Sequence, residues 1–134
     1  MVGLVVISHS RILAEGVAEL ARALGVGKAV VEPAGGDADG GFGTSIDLVE
    51  RAVAAADGGD GVVLLADLGS SVLTAKMYIE DAAEDDEDGV QGGVVLADAP
   101  LVEGAVAAAS MAAAGADLAA VLAAAESARD HRKS

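Results

Sequence analysis

The sequence predicts an α/β fold, a parallel four-stranded sheet with helices on both faces. Two observations carry this. Short β-branched runs alternate with Ala- and Leu-rich runs of helical length along the chain, and that alternation implies parallel strands joined by right-handed crossovers. The first short run, Val2–Ile7, is apolar without interruption, the mark of a strand covered on both faces.

The elements follow in order. After Val2–Ile7, residues Ile12–Leu24 place Leu13, Val17, Leu20 and Leu24 at helical spacing, and Gly25 and Gly27 close the helix. Lys28–Glu32 reads as the second strand, and Pro33 to Gly43 as a loop rich in Gly and Asp. Thr44 or Ser45 caps a helix to about Ala56, with Ile46, Val49 and Val53 on one face. Gly58–Gly61 is a turn, Val62–Ala66 the third strand, and Ser70 or Ser71 opens a third helix reaching about Ala83. The acidic connector Glu84–Gly89 reads as solvated loop. Val90–Leu96 is a fourth strand weakened by Gly92 and Gly93. Leu101–Ala114 is helical, Gly115 breaks it, and Asp117 caps a last helix to about Arg129. Residues 1–129 thus form one domain, and 130–134 a flexible tail.

Composition excludes several function classes. A chain of 134 residues with 53% hydrophobic content and a mean hydropathy of +0.50 can bury one ordinary core. Eight Lys and Arg against twenty-two Asp and Glu give a formal net charge of -14, so a nucleic-acid or anionic-membrane partner is not expected, since both need a basic face. The acidic excess suggests a salt-loving source, where screening relieves self-repulsion. Without cysteines there are neither disulfides nor thiolate metal sites. Polar Ser8-His9-Ser10-Arg11 directly follows the first apolar run, which argues against a signal peptide. The Ala-rich stretch from Gly104 to Ala125 is cut by Ser110, Gly115 and Asp117, well short of the ~20 apolar residues of a bilayer span. A cytoplasmic protein is expected.

In parallel sheets ligands sit beyond the carboxyl ends of the strands. Those ends carry Ser8-His9-Ser10, Phe42-Gly43-Thr44, Asp67-Leu68-Gly69-Ser70-Ser71 and Ala97-Asp98-Ala99-Pro100. Of the two histidines, His131 lies in the tail, and His9 is the one at the functional edge. A neutral imidazole offers one nitrogen as nucleophile while the other holds the proton. A carboxylate that accepts the Nδ1–H bond fixes that tautomer and stabilises positive charge on the ring; Asp67 can do so if the first and third strands are neighbours. Phosphoryl transfer then needs donors around the transferred oxygens. Helix-start N–H groups at Gly69, Ser70 and Ser71 supply them, and Ser10 or Thr44 can add hydroxyls. Each assignment has a plainer counterpart: His9 satisfying a loop carbonyl, Asp67 ordering an Asx turn, Ser70 and Ser71 capping a helix.

Other chemistries fit poorly. The loop Gly41-Phe42-Gly43-Thr44-Ser45 has no Lys for a Walker-type phosphate site. Ser-His-Ser stands where a dinucleotide fold needs glycines. His9 and Asp67 are too few for a metal site, so no metal is expected. A phospho-aspartate receiver would need acidic residues where His9 stands.

Taken together, Val5-Val6-Ile7-Ser8-His9-Ser10, Gly43-Thr44, Asp67-Leu68-Gly69-Ser70 and Ala99-Pro100-Leu101-Val102-Glu103-Gly104-Ala105 resemble the mannose-type enzyme IIA family of the phosphoenolpyruvate-dependent phosphotransferase system, in its dihydroxyacetone-kinase branch. The likeness extends to Ala114-Gly115-Ala116-Asp117 near the end. It implies a flavodoxin-like three-layer fold, phosphorylation on His9 and orientation of His9 by Asp67. It further implies a phosphoenolpyruvate–glycerone phosphotransferase subunit. The phosphoryl group would pass from phosphoenolpyruvate through enzyme I and the phosphocarrier HPr, and on to ADP bound by DhaL, whose ATP serves DhaK. No directly bound cofactor is expected, and a homodimer is. A sugar-transporter IIA component more often has Gly after the His and a Gly-Gly-Ser-Pro-like run after the Asp, so Ser10 and Leu68-Gly69-Ser70-Ser71 favour the dihydroxyacetone branch. A non-catalytic module that senses phosphorylation is the other alternative.

Overall fold

A computed structural model describes residues 1–84 and 90–134. Among the described residues four strands alternate with helices, and a fifth helix ends the series: β1 (Gly3–Ser8), α1 (Arg11–Leu24), β2 (Val30–Gly35), α2 (Ile46–Ala56), β3 (Val62–Ala66), α3 (Gly69–Glu84), β4 (Val94–Leu96), α4 (Leu101–Ala113) and α5 (Leu118–Ser127). A single 3₁₀ turn, Ala128–Asp130, follows. The acidic run 85–89 of the expected connector lies outside the described residues.

The sheet is parallel throughout, in the order β2-β1-β3-β4. Side chains alternate across it, so Val2, Leu4, Val6, Val63 and Leu65 pack against α1, α4 and α5, and Val5, Ile7, Val62 and Leu64 against α2 and α3. Burying a side chain such as Leu4 or Leu64 completely contributes about 1.5–3 kcal/mol each. The chain leaves β1 toward β2 on one side, while β3 lies on the other. The ends of β1 and β3 therefore flank the switch point where ligands of such sheets bind.

Three expectations need correction. The second strand begins two residues later than Lys28 because Lys28 closes a turn, its N–H donating to the Gly25 carbonyl at 3.2 Å. It also runs through Pro33 to Gly35. β2 pairs only with β1, and an edge strand tolerates a residue without an N–H. The fourth strand shrinks to Val94–Leu96. Gly92 and Gly93 have φ of +82° and +90°, and a Cβ on Gly92 would stand 2.6 Å from the Gly61 nitrogen, so this segment is a turn pressed against a turn.

The third correction concerns the core face of α1. Val17 is buried, but with Ala14, Ala18 and Ala21; Leu13, Leu20 and Leu24 are 44%, 42% and 54% exposed. The helix lies too close to its neighbours for leucines. A Cβ on Gly35 would be 2.6 Å from the Arg11 Cα, and one on Gly25 would be 3.2 Å from the Ala109 Cβ. The same close packing absorbs the Ala-rich C-terminal helices within one chain, where Ala105, Ala108, Ala109, Ala112, Val121 and Ala125 are all fully buried. After the 3₁₀ turn the chain has no regular structure, and Lys133 Nζ stands 3.0 Å from a Glu103 carboxylate oxygen. Among the described residues no helix is long and apolar enough to cross a membrane.

Candidate functional site

β1 and β3 are in register up to Ile7 and Ala66, so the residues that leave the two strands leave side by side. The Asp67 N–H donates to the Ile7 carbonyl at 3.1 Å. The His9 N–H returns the tie by donating to Asp67 Oδ2 at 3.1 Å. These bonds hold the imidazole against the carboxylate, with His9 Nδ1 3.0 Å from Asp67 Oδ1. The His9 side chain is 32% exposed and that of Asp67 only 11%, so the ring reaches solvent over a carboxylate that does not.

Asp67 is surrounded by donors. Oδ1 accepts from the Leu68 N–H at 2.7 Å and Oδ2 from the Ser8 hydroxyl at 2.8 Å. Partial burial by itself would raise its pKa. Hydrogen bonds from the Ser71 hydroxyl, the Leu68 N–H, the Ser8 hydroxyl and the His9 N–H outweigh that and hold it well below the usual carboxylate range. An ionised carboxylate only accepts, so Nδ1 carries a hydrogen, and in the neutral ring Nε2 keeps its lone pair. The Ser70 hydroxyl lies 2.6 Å from Nε2 and, with Nε2 unprotonated, donates to it. The network thus leaves Nε2 at the surface and holds it beside the first turn of α3, where N–H groups and the helix dipole favour negative charge.

The structure brings His9, Asp67, Ser70 and Ser71 together, with Gly69 at the start of α3 at φ +28°. Ser71 lies deeper than Ser70, and its N–H donates to the Leu68 carbonyl at 2.9 Å. It is fully buried, and its hydroxyl is 3.2 Å from Nδ1, behind the ring. Ser10 and Thr44 are engaged elsewhere. The Ser10 hydroxyl caps α1 by accepting from the Leu13 N–H, and Thr44 Oγ1 is 2.8 Å from Thr74 Oγ1. The Gly-rich loop approaches His9 through its backbone, with the Gly43 N–H donating to the His9 carbonyl at 3.1 Å. Asp37 organises that loop by accepting from the Asp39 and Gly41 N–H groups.

Sequence reasoning missed an apolar rim. Ile12, Phe42, Leu68 and Leu73 are 76%, 85%, 70% and 61% exposed. Ile12, Phe42 and Leu68 belong to the three segments that converge on His9. Helical spacing puts Leu73 and Met77 on the face of α3 that begins with Ser70. A phenylalanine inside a Gly- and Asp-rich loop was the available signal, since loop apolar residues with nothing to pack against point to a partner.

Residues 3–122 match the family profile EIIA-man, described as PTS system fructose IIA component. The chain is 37% identical over 121 residues to the phosphoryl donor subunit DhaM of the PEP-dependent dihydroxyacetone kinase of Escherichia coli K12, covering 88% of this chain and 25% of that protein. It is 38% identical over 108 residues to the DhaM subunit of dihydroxyacetone kinase 1 of Listeria innocua, covering 81% of this chain and 79% of that one. It therefore spans about a quarter of the length of the first relative and most of the second. The crystal structure of a protein of unknown function superposes with a TM-score of 0.79 at 31% identity, over 93% of this chain and 92% of the other.

Proposed function

Because the chain belongs to the mannose-type enzyme IIA family, we propose that it is the phosphocarrier of a phosphoenolpyruvate-dependent dihydroxyacetone kinase, with His9 as the residue that carries the phosphoryl group. The observation that supports this best is the His9–Asp67 pair, in which Nδ1 is held protonated and Nε2 faces the solvent beside Ser70. In the accepting step the P–N bond on a donor phosphohistidine breaks and a P–N bond to Nε2 forms. Nδ1 keeps its hydrogen throughout, and the ring's positive charge lies against Asp67. The Ser70 hydroxyl, released from Nε2, donates to a phosphoryl oxygen. In the second step the terminal oxygen of ADP attacks phosphorus and the imidazole leaves as the neutral ring.

The donor in this reading is phospho-HPr, charged by enzyme I from phosphoenolpyruvate, and the acceptor is ADP on DhaL, which supplies DhaK with ATP in the cytoplasm. The exposed rim of Ile12, Phe42, Leu68 and Leu73 around His9 supports a protein as the donor and acceptor, since such residues bury well against another protein surface. Incubation with phosphoenolpyruvate, enzyme I and HPr is expected to add one phosphoryl group, acid-labile and base-stable as a phosphoramidate is. Added DhaL loaded with ADP should then discharge it and form ATP. A phosphorylated chain that discharges only to a membrane sugar transporter would favour the sugar-transport branch.

A homodimer belongs to the same reading. The Ala-rich C-terminal helices do not call for one, being covered within the chain. Its support is the exposed strip of Leu20 and Leu24 on α1, which continues to Val102 and the half-buried Val106 on α4 and borders a groove of about 570 Å³. Light scattering at micromolar concentration is expected to give twice the chain mass, and Leu20→Glu with Leu24→Glu to halve it. A monomer mass for the unaltered chain would remove the dimer from the proposal.

A further inference from the structure

We propose that Ser8 is a positioning residue for the transfer, its hydroxyl locking the Asp67 carboxylate in the orientation that keeps hydrogen on His9 Nδ1. The inference rests on the reading of His9 as the phosphoryl acceptor. Ser8 ends β1 and is fully buried, so no water can replace its partners. Its oxygen accepts from the Ser10 N–H at 3.0 Å, and its O–H donates to Asp67 Oδ2 at 2.8 Å. A hydroxyl ordinarily rotates to suit its surroundings. Here the Ser10 N–H occupies the lone-pair side, so the single proton is directed at Asp67.

The consequence falls on the terminal torsion of Asp67, which is soft and roughly two-fold in an unrestrained side chain. With Oδ2 held by the Ser8 hydroxyl and the His9 N–H, Oδ1 is the oxygen left to meet Nδ1 at 3.0 Å. Ser8 and His9 are consecutive residues leaving one central strand, so the register of β1 on β3 passes directly into the alignment of the pair. Ser71 also donates to Asp67, but from α3, the element that carries Ser70. Ser8 therefore supplies the side-chain donor that is fixed to the sheet, beside the backbone N–H groups of His9 and Leu68.

The test uses the whole chain in three forms, unaltered, Ser8→Ala and Ser8→Thr. The ring ¹⁵N shifts of unphosphorylated His9 report the tautomer and need no phosphoryl donor. Single-turnover phosphorylation by phospho-HPr reports the rate. In the unaltered protein the shifts should be those of a ring protonated at Nδ1. In Ser8→Ala they should move toward a mixture of tautomers, and the transfer rate should fall about tenfold, as expected for loss of a hydrogen bond to a charged group. Ser8→Thr keeps the hydroxyl and should restore both. A folded Ser8→Ala with unchanged ring shifts overturns the proposal, even if its rate is lower. So does a Ser8→Ala that fails to fold, which would assign the hydroxyl to the fold. If the phosphocarrier reading alone is wrong, the unaltered chain takes no phosphoryl group while the tautomer change in Ser8→Ala persists.

Discussion

His9→Ala is expected to abolish phosphoryl acceptance completely while leaving the fold intact. Nothing else at the site can replace the imidazole. The Ser70 hydroxyl has His9 itself as its nearest base, at 2.6 Å, and the Ser71 hydroxyl is fully buried behind the ring. The Asp67 carboxylate is saturated by donors and only 11% exposed. The fold should survive because the His9 side chain is one-third exposed and belongs to neither core cluster. Asp67 also keeps the Ser8, Ser71 and backbone donors. His131→Ala, in the exposed segment after the last turn, should leave the stoichiometry at one. Intact-mass measurement at neutral pH decides the matter: a phosphoryl group still present on His9→Ala would sink the assignment.

The alternation of parallel strands and helices and the position of His9 and Asp67 at strand ends were legible in the sequence, and for one reason. Continuous apolar runs mark central parallel strands, and a polar residue that ends such a run is forced onto the edge where chemistry occurs. Asp67 needed β1 and β3 to be neighbours, and the sheet makes them so. What sequence patterning could not supply was distance between elements. Leu13, Leu20 and Leu24 have the spacing of a core face, yet α1 packs so closely at Gly35 that the smaller Ala14, Val17, Ala18 and Ala21 lie beneath it instead. The hydroxyls illustrate the same limit. Ser8, Ser10, Ser70 and Ser71 are alike in composition. Their separate tasks, in order, are bridging to Asp67, capping α1, contacting Nε2 and contacting Nδ1 behind the ring. Those tasks are set by which way each residue leaves its strand or enters its helix.

That division of labour gives Asp67→Asn its expected outcome. The amide matches the carboxylate in size, but its –NH₂ is a donor placed among donors: the Ser8 and Ser71 hydroxyls and the His9 and Leu68 N–H groups all point at this side chain. If the amide oxygen faces Nδ1, the bond survives without the charge that steadies the phosphorylated ring. If the –NH₂ faces Nδ1, the hydrogen shifts to Nε2 and blocks the nucleophile. Either way transfer should slow by about 10²-fold. That is less than the ≈ 10⁴-fold cost of the same change in a serine-protease triad, where the imidazole must also carry a proton through the reaction. Stability should carry a second signature. Asp67 titrates below its ordinary 3.8 in the folded protein, so the unfolded chain binds the extra proton first as the pH falls. The stabilisation it provides is therefore present in full above about pH 4 and is lost progressively below that value, as the pH falls toward the folded pKa. The advantage of the unaltered protein over Asp67→Asn in chemical denaturation should accordingly shrink between pH 7 and pH 3. The donors behind that gap are not the imidazole, so the rate decides the role: if transfer is unimpaired, Asp67 orders its loop and has no part in holding the His9 tautomer.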